Sequence, residues 1–228
     1  MLVLLTPLAL TAIGLGFRAS GLLSTGSEAL PYGLFVLSGV VLWISFVEAL
    51  HAPIYGVLTE QTLLARTTAA PEAVLLGKLA PIVVNLGLRT LMVLGAMLWI
   101  GVGLPMTLPF AVIAVVGLLA LGLSIGIVLA PMNLIYRDVS RFLTIATTLW
   151  LFLTPVFYAP PAEGVVAAIM RWNPVTPLLS MARSSALGEY TGDLIPGAVL
   201  ALGAGVLLLA SWVVFRVALP SVLERSNA

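Results

Sequence analysis

The sequence predicts an all-α membrane protein: six transmembrane helices, a long cytoplasmic loop after the second, and a re-entrant outer region between helices five and six. Three observations carry that prediction. First, 61% of the 228 residues are hydrophobic and only 8% are charged, whereas a soluble domain carries about 25% charged residues. The mean hydropathy is +1.18, so the chain lacks the polar residues to cover a soluble core. Second, apolar runs of about 20 residues recur, the length at which a rise of 1.5 Å per residue crosses a hydrocarbon core about 30 Å thick. Third, the runs are apolar all round, whereas the strands of a membrane barrel would alternate over about 10 residues.

The first span is Met1 to Phe17. It has no basic start and no Ala-x-Ala-like cleavage site before Arg18, so it reads as a retained helix rather than a signal peptide. Its abrupt start reads as the later part of a longer N-terminal element. The second span is Tyr32 to Leu50, and the third is Leu79 to Val102, interrupted by Arg89. The fourth is Met106 to Asn133, the fifth Phe142 to Tyr158 and the sixth Leu194 to Val217. In the fourth, Gly117, Gly122 and Gly126 are read as one stripe of small residues suited to close helix packing.

The loops follow from these spans. Arg18 to Pro31 is an outer loop, His51 to Lys78 a long inner loop, and Gly103 to Pro105 a tight outer turn. Leu134 to Arg141 is a short inner loop. Ala159 to Asp193 is a long outer region whose apolar pieces, Gly164 to Met170 and Leu178 to Leu187, are too short to span. A free loop of that length would be polar. Two short helices dipping into the outer leaflet and joined near Asn173-Pro174 are expected instead. Of the ten Lys and Arg residues, six fall on one side: Arg66, Lys78, Arg137, Arg141, Arg216 and Arg225. Arg18, Arg171 and Arg183 fall on the other, and Arg89 lies within a span. The positive-inside rule places both termini in the cytoplasm.

Composition excludes several classes. A net charge of +1 offers no basic footprint for nucleic acid. With no Cys and one His, His51, there is no disulfide framework, thiolate site or multi-His metal site. The only Lys, Lys78, lacks the glycines and the Ser/Thr of a phosphate-binding loop, so no ATP site is recognisable and no cofactor is expected. Glu48 to His51 lacks the second His of a metalloprotease helix, and no Gly-x-Ser-x-Gly elbow occurs.

Arg89 stands near the middle of the third span, where a charge costs a few kcal/mol and should face protein or water. Two readings stay open: a structural pair with Glu48 or snorkelling to a headgroup, and a lining residue that meets an anionic group of a substrate. Glu48 reads as a helix-end residue near the inner face. The strongest local signal is Asn133-Leu134-Ile135-Tyr136-Arg137-Asp138-Val139 followed by Arg141. A cation suits the end of one helix, Asp138 suits the start of the next, and Asp138 can reach Arg141. A plain positive-inside loop explains the two Arg but not the Tyr-Arg-Asp order.

Five segments together resemble the membrane subunit of type-2 ABC exporters, in the branch that exports polysaccharide and lipopolysaccharide O-antigen. Leu30-Pro31-Tyr32-Gly33-Leu34-Phe35, with Gly39 and Trp43, resembles that family's second helix. Gln61 to Pro71, with Leu63, Leu64, Arg66 and Pro71, is similar to its cytoplasmic coupling segment. Tyr136-Arg137-Asp138-Val139 resembles the loop between its helices four and five. Thr154-Pro155-Val156-Phe157-Tyr158 resembles its Ser-Pro-Val-x-Tyr pattern. Trp172-Asn173-Pro174-Val175-Thr176, with Arg183 and Gly188, resembles its outer Asn-Pro segment. The sequence departs from the family in having Ala70 where an aromatic precedes Pro71 and Thr154 where Ser is usual. It also opens after the position of the family's basic amphipathic helix.

The resemblance implies a single permease domain over residues 1–228 in the plasma (inner) membrane. It implies a homodimer around a translocation path, docked to two copies of a separate ATP-binding subunit. The substrate would be a lipid-linked glycan, O-antigen-like or of capsular or teichoic type. The chain itself would not be an enzyme. Glu60, Leu63, Leu64, Arg66, Arg137 and Asp138 are the candidates for ATPase coupling, with Thr59 to Arg66 an amphipathic stretch suited to a groove of the ATPase. Arg89, Trp150, Tyr158 and Trp172 are the candidates for the path, since sugar faces stack on aromatic rings. Trp43, Trp99 and Phe157 share that chemistry, although Trp and Tyr collect at membrane interfaces in any case. A permease for drug or lipid export and a secondary transporter are the alternatives. The latter would show half-repeats and intramembrane carboxylates, neither of which is clear.

Overall fold

The computed structural model describes residues 2–19, 32–61, 71–159, 163–188 and 194–226. Among these the chain forms eight helices and no strand. They are α1 (Leu2–Ala19), α2 (Tyr32–Thr59), α3 (Pro71–Ile100), α4 (Leu108–Ile135), α5 (Asp138–Leu153), α6 (Val165–Trp172), α7 (Val175–Leu187) and α8 (Leu194–Ser226). Four of them, α2, α3, α4 and α8, are long and apolar enough to cross a membrane. The other two expected spans are shorter, α1 with 18 residues and α5 with 16.

Several boundaries differ from expectation, each for a local reason. α2 does not stop at Leu50. Pro53, Ile54 and Val57 continue its buried face, and Thr59 Oγ1 donates to the Tyr55 carbonyl at 2.8 Å. α3 begins at Pro71, a residue preorganised for a first helical turn. The expected inner loop from His51 to Lys78 is therefore largely helix. Its middle, residues 62–70 with Leu63, Leu64 and Arg66, lies outside the described residues.

α3 ends at Ile100, ahead of the expected Val102. Gly101 takes a φ of 81°, and its N–H reaches the Leu98 carbonyl at 3.1 Å. The Val102 N–H reaches Met97 at 2.9 Å, completing a Schellman closure that needs a left-handed residue. α5 starts at Asp138 rather than Phe142, with its acid in the first turn. It ends at Leu153 because Pro155 forces Thr154 out of the helical region, to a ψ of 134°. α8 runs on past Val217 to Ser226.

α2 and α4 form the centre of the bundle. α2 packs on α1, α3 and α4, and α4 packs on α2, α7 and α8. In the most apolar stretch of α2, 78% of residues are buried, against 22% in α3 and 17% in α8. The last two therefore flank the bundle with outward apolar faces. Phe46, Leu50, Ile54, Leu118, Leu178 and Phe215 are fully buried between the elements.

Gly122 and Gly126 let α4 approach the backbone of α2 at Phe46 and Leu50, where a Cβ would collide with carbonyl oxygens. Gly117 does not share that stripe. It faces Ala201 of α8, whose Cβ would lie 2.6 Å from an added one. The small residues of α4 thus serve two neighbours rather than one.

Candidate functional site

The end of the bundle where α2 begins, α4 begins and α5 ends carries a connected polar network. Its starting point is the break after α5. Pro155 stops the helix, so the carbonyls of Pro155 and Val156 leave the helical ladder while both residues stay buried. Buried carbonyls need donors. Arg183 of α7 supplies them, its Nη1 donating to Pro155 O at 3.2 Å and its Nη2 to Val156 O at 3.1 Å. The same guanidinium lies over the Phe35 ring, 3.8 Å from its centroid, and packs against Gly39, where no side chain would fit.

Asn173 closes the other half of the break. Its Nδ2 donates to Thr154 Oγ1 at 2.9 Å and to the Leu153 carbonyl at 3.3 Å. Its Oδ1 accepts from Trp150 Nε1 at 3.0 Å and from the Val175 N–H at 3.0 Å. One side chain therefore satisfies the freed Leu153 carbonyl at the end of α5, orients Trp150 and accepts the first N–H of α7. α1 joins through Tyr32, whose hydroxyl donates to Phe157 O at 2.9 Å and lies 3.3 Å from Gly14 O. Gly188, at a φ of 76°, closes α7. Thr107, just before α4, donates to Ser185 O at 2.7 Å.

The aromatic candidates separate into different environments. Trp150 stacks edge-on against Trp43 at 6.2 Å and Phe46 at 5.4 Å between ring centroids, so it belongs to a core cluster. Tyr158 is half-buried and its hydroxyl donates to Phe152 O at 2.6 Å. Trp172 and Trp99 are 90% and 92% exposed and project outward. α6 presents Val165, Val166 and Ile169 outward beside Trp172 and buries Ala167 and Met170. The two short helices stand where the sequence places them, joined at Asn173-Pro174.

Arg89 is 2% exposed and Glu48 faces it. Arg89 Nη2 lies 2.6 Å from Glu48 Oε1 and Nη1 lies 2.8 Å from Oε2. Asn85 Nδ2 adds a contact to Glu48 Oε1 at 3.5 Å, and Arg89 Nε donates to Val3 O of α1 at 3.3 Å. Glu48 is not a helix-end residue, because α2 extends well beyond it. Its separation from Leu50 placed it near a boundary that does not exist.

At the opposite end, α4 and α5 meet in a tight turn. Arg137, the N-cap residue of α5, makes no side-chain cap. Asn133, fully buried at the end of α4, does so instead, accepting the Ser140 N–H at 2.9 Å. Arg137, Asp138 and Arg141 all point outward. Arg141 and Asp138 are 3.4 Å apart with both side chains exposed. Glu60 follows α2, its N–H bonded to Gly56 O at 3.1 Å.

The structure thus brings Thr154, Asn173, Arg183, Tyr32 and Trp150 together and keeps Arg89, Trp172 and the α4–α5 turn apart from them. Asn133 and Asn173 were missed as organising residues. The available signal was an Asn beside each helix break. Among the described residues, no three His, Cys, Asp or Glu come together as a metal site would require. No protein-family model matches the chain, and no curated protein matches it.

Proposed function

We propose that this chain is the permease subunit of an ATP-driven exporter of the type-2 ABC kind. Its cargo would be a lipid-linked glycan, moved across the plasma (inner) membrane. The observation that carries this reading is convergence. Three of the segments that resemble the exporter family meet at one end of the bundle: the start of α2, Thr154 to Tyr158, and Trp172 to Arg183. Tyr32 and Phe157, joined by one hydrogen bond, are 125 positions apart in sequence.

In this reading α1 to α5 and α8 cross the membrane, and α6 and α7 form the outer re-entrant pair. α5, with 16 residues, is about 24 Å long at 1.5 Å per residue, short of a core about 30 Å thick. The extended Thr154–Val156 stretch completes the crossing. Non-helical backbone at that depth requires protein partners, and Arg183 and Asn173 supply them.

Both termini lie in the cytoplasm. Glu60 after α2, with Arg137 and Asp138 in the α4–α5 turn, faces a pair of ATP-binding subunits beneath a homodimer of this chain, and Leu63, Leu64 and Arg66 remain the further candidates for that coupling. The Glu48–Arg89 pair stiffens α1, α2 and α3 into a unit that moves as one when those subunits close. Aromatic surfaces at the outer end, Tyr158 and Trp172 among them, give sugar rings something to stack on.

Depletion of the chain in the cell that encodes it tests the reading. Surface glycan should fall while lipid-linked glycan accumulates on the inner leaflet. Unchanged surface glycan with no accumulation contradicts the proposal.

A further inference from the structure

We propose that the cleft between α3 and α4 holds one acyl chain of a bilayer glycerophospholipid. The inference rests on membrane insertion of these two helices, and not on export. α3 and α4 each pack along α2 but not to any extent on each other. The space between them is a cavity of ≈ 280 Å³. Thr90 and Leu94 of α3 form one wall and Val112 and Val116 of α4 the other, with Ala182 and Ala186 of α7 closing the end.

Val112 and Val116 line the cavity yet remain 60% exposed, so its mouth opens sideways between the helices. That mouth is continuous with the outward apolar faces at Leu91 and Leu98 of α3. Water is a poor occupant, since an ordered water needs 2–4 polar partners. Few polar groups line the wall, and two of them are turned to backbone: Ser38 Oγ donates to Phe35 O at 3.0 Å, and Arg183 Nη1 and Nη2 to Pro155 and Val156. An empty cleft of this size would forfeit the dispersion contacts of its lining.

The dimensions select the occupant. The lining of α4 runs from Leu108 to Leu119, about 16 Å at 1.5 Å per residue. One leaflet of the hydrocarbon core is about 15 Å deep, half of about 30 Å. The cleft is therefore one leaflet tall, apolar and open to the lipid side. A single acyl chain from a neighbouring phospholipid fits those terms.

The test uses the full chain in liposomes of phosphatidylethanolamine carrying an acyl-chain diazirine. The protein is solubilised, washed free of loosely held lipid, irradiated and mapped by mass spectrometry. One lipid per chain should survive washing, with cross-links at Leu94, Val112 and Val116. Ala111→Phe and Ala186→Phe, which fill the cleft, should lower retained lipid by roughly tenfold or more, while Val206→Phe on the outward face of α8 should not. No retained lipid, cross-links spread over Val199 and Val206, or a second copy of the chain cross-linked through the cleft would each overturn the proposal. If the filled variants fail to fold, the cross-link map of the unmodified chain decides alone.

Discussion

Arg89 and Glu48 form a bidentate ion pair, with contacts of 2.6 and 2.8 Å, that ties the middle of α3 to the middle of α2. The pair also holds α1, because Arg89 Nε donates to Val3 O. Such a pair costs nearly as much desolvation as it returns in attraction, but removing one partner leaves an uncompensated buried charge. Glu48→Ala should destabilise the chain by about 3–5 kcal/mol, read as lost thermal stability in detergent. The double change to Glu48→Leu and Arg89→Leu should recover most of that loss. A double variant no better than the single would mean that the pair contributes more than mutual neutralisation.

Asn173 makes four hydrogen bonds that no other side chain can replace together. Asn173→Ala strips the cap from α7 and leaves Thr154 and Trp150 without their partner. The expected cost is about 2–4 kcal/mol, from one lost cap and buried groups left unsatisfied. Trp150 fluorescence should shift as its indole N–H is released. An unchanged stability and spectrum would show that the network carries no weight.

Gly126 touches the Leu50 backbone, whereas Gly203 of α8 has open space around it. Gly126→Val should drive α4 away from α2 and cost about 1–3 kcal/mol or more, while Gly203→Ala should be near neutral. Thermal unfolding of the two variants side by side checks this.

Arg137 at the α4–α5 turn and Arg141 near the start of α5 stand four positions apart. Arg141 and Asp138 form an exposed contact of 3.4 Å, a kind worth little to stability. Neither Arg137→Ala nor Arg141→Ala should change the melting temperature. If Arg137 meets the ATPase, Arg137→Ala should cut export on the order of tenfold, as a lost coupling of about 1.4 kcal/mol would. Arg141→Ala should not. Equal and small effects would reduce the turn to an ordinary positive-inside loop.

The chain has no native Cys, so single Cys substitutions report sidedness directly. Glu163 precedes α6 and Tyr136 sits in the α4–α5 turn, and both are exposed. Glu163→Cys should react with an impermeant thiol reagent only from outside, Tyr136→Cys only from the cytoplasm, and Met181→Cys, fully buried, from neither. Reaction of the first two from the same side would break the six-span topology.

Much of the helical layout was legible in the sequence, because apolar run length and the Pro, Gly and Asn punctuation are local signals. The α6–α7 pair joined at Asn173-Pro174 and the tight turn after Ile135 are of that kind. The extension of α2 was not legible. The span was expected to end at Leu50, with a loop from His51, yet tertiary burial of Ile54 and Val57 carries the helix on through Pro53. Glu48 was misplaced as a direct consequence. The roles of Asn133 and Asn173 depend on which distant groups come within reach, and sequence spacing cannot supply that. The same holds for Gly117, whose neighbour is α8 rather than α2.

Reconstitution gives the sharpest test of ATP-driven glycan export by this chain. The chain is placed in proteoliposomes with an ATP-binding ABC subunit from the same cell and a lipid-linked glycan labelled on its sugar. Sugar exposure on the far side is followed with an impermeant lectin. The account expects exposure only when both proteins and hydrolysable ATP are present. Exposure without the ATPase, or exposure driven by an ion gradient instead of ATP, would contradict it.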